Sequence, residues 1–70
     1  MDSFNKEIKK LATIATDMEL SGSLRSNAIK SIGNIGTHEA LLSLLELAAN
    51  ENLPPGDRKL ALKQAERNIK

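Results

Sequence analysis

The chain has 70 residues, a formal net charge of +1, no cysteine and one aromatic residue, Phe4. That size holds one hydrophobic core, and the composition excludes a disulfide framework, a thiolate metal site and a global field of the kind that draws nucleic acid or membrane surfaces. A core left to Leu, Ile and Ala points to helices rather than a sheet. No apolar run is long enough for a signal peptide or a membrane span, which points to a soluble, cytoplasmic chain.

Phe4, Ile8, Leu11, Ala15 and Met18 recur at the helical period and predict an amphipathic first helix over 3–20, with Ser3 as its N-cap. Ser21-Gly22-Ser23 interrupts it. Ser23 can cap a second helix over 23–35, whose stripe is Leu24, Ala28, Ile32 and Ile35, widened by Ile29, and Gly36 suits the left-handed position that ends it. Thr37 then stands where an N-cap belongs, with Glu39 in the first turn of a third helix over 38–50. Ala40, Leu41, Leu44, Leu45, Leu47 and Ala48 give that helix the widest apolar arc, so Leu44 and Leu45 are expected in the main core. The prolines make 50–56 a loop, and Asp57 is expected to open a fourth helix over 57–69 that carries Ala61, Leu62, Ala65 and Ile69.

Shifted by 33 residues the chain matches itself at Leu11/Leu44, Ala15/Ala48, Leu20/Leu53, Arg25/Arg58, Ala28/Ala61 and Lys30/Lys63. Ile8/Leu41, Ile14/Leu47 and Ile29/Leu62 keep apolar with apolar in the same register. Two copies of one helical hairpin, about 3–36 and 37–69, explain the pattern within a single 1–70 domain.

The run Leu24-Arg25-Ser26-Asn27-Ala28 onward to Gly33-Asn34-Ile35-Gly36 and Glu39-Ala40-Leu41 resembles the HEAT-like repeat of the phycobilisome-lyase type. The likeness covers the middle half of the chain and extends more loosely to Asp57–Ile69 through Arg58, Ala61 and Leu62. It implies an all-α, α-α superhelical (HEAT-like) fold of two hairpins and four helices, wound right-handed, and a role in protein binding. It also implies that Arg25 and Arg58 each pair with a loop residue, for which Asp17 and Asn50, equivalent at the 33-residue offset, are the candidates. The fourth helix departs from the family pattern by ending without the Gly-x-Ile-Gly turn. An up-down four-helix bundle is the alternative fold.

Motifs for chemistry are sparse. Gly33-Asn34-Ile35-Gly36 follows a helix and lacks phosphate-loop spacing, and Gly33 reads instead as a point of close helix approach. His38 is the only histidine and has no cysteine or second histidine to complete a ligand set or a nucleophile-base pair, and the carboxylates are scattered singly. No catalytic residue, cofactor or metal site is therefore expected, and a bilin-lyase activity has nothing behind it but the family name. Lys59, Lys63, Arg67 and Lys70 lie on one face of the fourth helix at spacings of four, four and three.

The reading is a non-catalytic protein-interaction module, a small adaptor or regulator, with Asn27, Lys30, Lys59, Lys63 and Arg67 as its partner-binding residues. The alternatives are a nucleic-acid-binding protein that uses the basic face of the fourth helix, for which an aromatic stacking residue is lacking, and a four-helix-bundle regulator. Polar outer sides on the first and fourth helices favour a monomer, with a homodimer as the alternative.

Overall fold

The computed structural model describes residues 3–69, with side chains from Asn5 onward, and places four helices there: α1 Ser3–Ala15, α2 Gly22–Ile35, α3 His38–Ala49 and α4 Pro55–Arg67. No strand occurs among the described residues. The expected parts of Ser3 as a cap and Phe4 in the core lie outside the described side chains, and Lys70 lies outside the described residues.

Local hydrogen bonding sets the helix ends, and it moves three of them from their expected places. The first helix stops at Ala15 rather than running to residue 20, because Asp17 turns the chain: its Oδ1 accepts from Glu19 N at 2.9 Å, while Thr16 Oγ1 donates back to Ala12 O at 3.0 Å. Ser21, not Ser23, caps α2, accepting from Leu24 N at 3.2 Å. Helix α4 starts at Pro55 rather than Asp57, with Pro54 at the N-cap position. A proline at the first helical position loses no hydrogen bond, since that N–H has no partner in any helix. Thr37 Oγ1 caps α3 through Ala40 N at 3.1 Å, and Gly36 ends α2 at φ +75, as expected of both.

The two hairpins carry the same turn. In the first, Asp17 N donates to Ile14 O, Leu20 N to Asp17 O and Arg25 N to Ser21 O. Thirty-three residues on, Asn50 N donates to Leu47 O, Leu53 N to Asn50 O and Arg58 N to Pro54 O. Asn50 Oδ1 also accepts from Asn52 N at 2.9 Å, as Asp17 does from Glu19. The sequence offset is therefore a structural repeat of helix, turn and helix.

Helices α2 and α3 each touch all three others, whereas α1 and α4 do not touch. A closed ring in chain order would join α1 to α4. Here α1 lies beside α3 and α2 beside α4, so one hairpin is laid against the other. Ile29, Ile32 and Leu44 are the largest fully buried side chains, and burial of each contributes roughly 1.5–3 kcal/mol. Close approach of α2 and α4 depends on Gly33: a Cβ there would overlap the Gln64 amide oxygen and stand 3.1 Å from Gln64 Cβ. Asn68 Nδ2 ties the same place, donating to Gly33 O at 3.2 Å and to Gln64 O at 2.8 Å.

Several stripe residues are not in the core. Leu45 is 39 % exposed, Leu24, Met18 and Leu62 about half exposed, and Ile69 lies beyond the end of α4. Met18 leaves the core because α1 ends before it. Leu53, read as a loop residue, is buried, since the turn after Asn50 folds it inward.

Candidate interaction faces

The two repeat arginines sit in unlike surroundings. Arg25, one turn into α2, is buried; its Nε donates to Asp57 Oδ2 at 2.7 Å and its Nη1 to Leu20 O at 2.7 Å. Asp57 is itself buried in the first turn of α4, where the helix dipole also favours its charge. One guanidinium thus ties the first turn segment to the second hairpin, and it forms the single ion pair found among the described residues. Arg58 is half-buried and its Nε donates to Ala48 O at 2.8 Å. The pairing with Asp17 and Asn50 implied by the family resemblance is not what forms. Both of those side chains are taken up by their own turns, and Arg25 reaches across to the next hairpin instead.

The expected binding residues Asn27, Lys30, Lys59, Lys63 and Arg67 are all exposed. Lys30 and Lys63 hold the same repeat position on the neighbouring helices α2 and α4, so the repeat brings them to one side of the molecule. Lys59, Lys63 and Arg67 follow one another along α4, where Arg67 Nη1 leans on Gln64 Oε1 at 3.4 Å. Asn27 stands apart. It takes the repeat position of Leu60, which packs against the core from the second hairpin, so Asn27 faces the open side of the first.

Three open grooves mark the surface. Two run together between α1 and α3 and share Ala12, Ser43 and Glu46, with Leu42 and Lys9 at one end and Thr16 and Asn50 at the other. The third lies at the outer end of the second hairpin and is formed by Ala48, Pro55, Arg58, Lys59 and Leu62. Sequence reasoning missed this one. Its signal was present, because Leu62 repeats Ile29 and Arg58 repeats Arg25, but a stripe read on one helix at a time does not say which hairpin has a neighbour.

Among the described residues no group of three His, Cys, Asp or Glu side chains is placed to hold a metal ion, and His38 is exposed at the start of α3. No described helix is long and apolar enough to cross a membrane. The described residues define a small all-α chain built from two like hairpins. No protein-family model, curated protein or solved structure matches it.

Proposed function

We propose that the chain is a non-catalytic protein-interaction module, a short stack of two HEAT-like hairpins whose second helices and outer end meet the partner. The observation that carries this reading is the repeated turn and arginine position, which makes each hairpin a unit built to receive another helical hairpin on one side. The resemblance of 24–41 to the phycobilisome-lyase type of repeat supports the same class. Open grooves rather than an enclosed cavity suit a macromolecular partner better than a small substrate.

Exposed Lys30, Lys59, Lys63 and Arg67 favour an acidic protein surface and also supply the second reading, a nucleic-acid backbone. Capture from a nuclease-treated native lysate on the tagged chain separates the two. Protein retained by the wild type and lost on reversing Lys59, Lys63 and Arg67 to Glu is the expected result. Oligonucleotide binding that falls steeply with salt, with no protein retained, would replace the proposal by the nucleic-acid reading.

A further inference from the structure

The outer end of the second hairpin copies, position by position, the surface on which that hairpin sits at the end of the first. Ile29 is fully buried, and its repeat counterpart Leu62 is 45 % exposed. Ala15 is fully buried and its counterpart Ala48 half-buried; Arg25 is buried and its counterpart Arg58 half-buried. These pairs share a place in like hairpins, and they differ only in what lies beyond: the first hairpin is followed by the second, and the second is followed by no described neighbour. The groove of Ala48, Pro55, Arg58, Lys59 and Leu62 is therefore the inner docking face seen without its occupant.

The inner face also shows what its occupant looks like. It is a helical hairpin that brings aliphatic side chains, Leu53 among them, and a carboxylate in the first turn of its second helix to meet the arginine. We propose that the outer groove docks such a hairpin from a partner protein, with Leu62 and Ala48 covered and Arg58 paired to an acidic residue at the start of the partner's second helix. Lys59, in place of the first hairpin's Ser26, adds a second positive charge toward the same acidic end.

A second copy of the chain is the poorer fit. Its own open side offers Leu24 where Asp57 stands and Glu7 where the fully buried Ala40 stands, which would leave Arg58 covered without a counter-charge and bury a carboxylate. The partner class rests on the protein-interaction reading, but the face itself does not. Docking that fails in the experiment below, beside a positive lysate capture, would move the binding face and leave that reading standing.

The probe is the one hairpin known to carry the matching set. Residues 37–70 are appended a second time after Ile69, so that the copied Asp57 falls 33 residues beyond the original. Hydrogen exchange of the original α4 around Leu62 is expected to slow by about tenfold or more, with the appended helices protected as well. Asp57→Lys in the appended copy alone should abolish the slowing while the original residues keep the exchange pattern of the parent, which shows that the parent part still folds. Adding Arg58→Glu should restore it. An unprotected appended hairpin, or slowing that Asp57→Lys in the copy leaves unchanged, would overturn the proposal. So would sedimentation of the parent as a growing series of copies that Leu62→Lys dissolves, since a second copy would then own the face.

Discussion

Arg25 Nε lies 2.7 Å from Asp57 Oδ2, joining the first hairpin to the second, while Arg58, at the same place in its own hairpin, bonds only the Ala48 carbonyl among the described residues. The two arginines therefore have unequal work in holding the chain folded. Removing Arg25 leaves a buried carboxylate without its counter-charge, so Arg25→Met is expected to cost about 3–5 kcal/mol. Arg58→Met loses one hydrogen bond at a half-buried site and is expected to cost about 1–2 kcal/mol. Pairing Arg25→Met with Asp57→Leu should recover much of the first loss, because no lone charge then remains buried. Urea melts of the four proteins check this, and equal losses for the two arginines would refute the asymmetry.

Leu44 and Leu45 are neighbours on α3 with opposite fates, the first fully buried and the second 39 % exposed. Leu44→Ala is expected to cost about 2–5 kcal/mol and Leu45→Ala about 1 kcal/mol or less. Against a typical total of roughly 5–15 kcal/mol, the first loss is visible as a large fall in denaturant midpoint.

Gly33→Ala sets two effects against each other. Helix propensity alone would favour alanine by about 1 kcal/mol, but overlap with the Gln64 side chain opposes it, at the roughly 1–3 kcal/mol of an overpacked contact. A net loss is expected in thermal melts. Gln64→Ala in the same chain should turn Gly33→Ala from a loss into a gain, since the amide that obstructs the new methyl is then gone.

The twin turns should respond alike. Asp17→Ala and Asn50→Ala each remove a side-chain acceptor from a turn N–H, for an expected cost of about 1 kcal/mol apiece, whereas Asp17→Asn keeps the acceptor and should be close to neutral. A cost confined to one of the two would mean that the turns do not share a role.

Much of this arrangement is legible in the residues. Four helices, the caps at Thr37 and Gly36 and the offset of 33 residues all rest on local chemistry that a sequence displays. Asp17 is a good turn former and a passable helix residue, so only the hydrogen bond to Glu19 decides that α1 stops before it. Arg25 was singled out by its repetition at Arg58, but its partner is 32 residues away on another helix, a contact that depends on how the hairpins lie together. The exposure of Leu62 has the same origin. Its apolar character is local, and its lack of a cover is a property of the stack.

The central claim is that two like hairpins lie side by side, α1 against α3 and α2 against α4, so that each end repeats the joint between them. Methyl-methyl nuclear Overhauser effects test it most directly. Cross-peaks are expected between the methyls of Ile29 and Ile32 on α2 and those of Ala61 and Ala65 on α4, and none between Ile8 or Leu11 on α1 and the methyls of α4. Strong cross-peaks from α1 to α4, with those from α2 to α4 missing, would mean a closed ring of helices and would contradict the account.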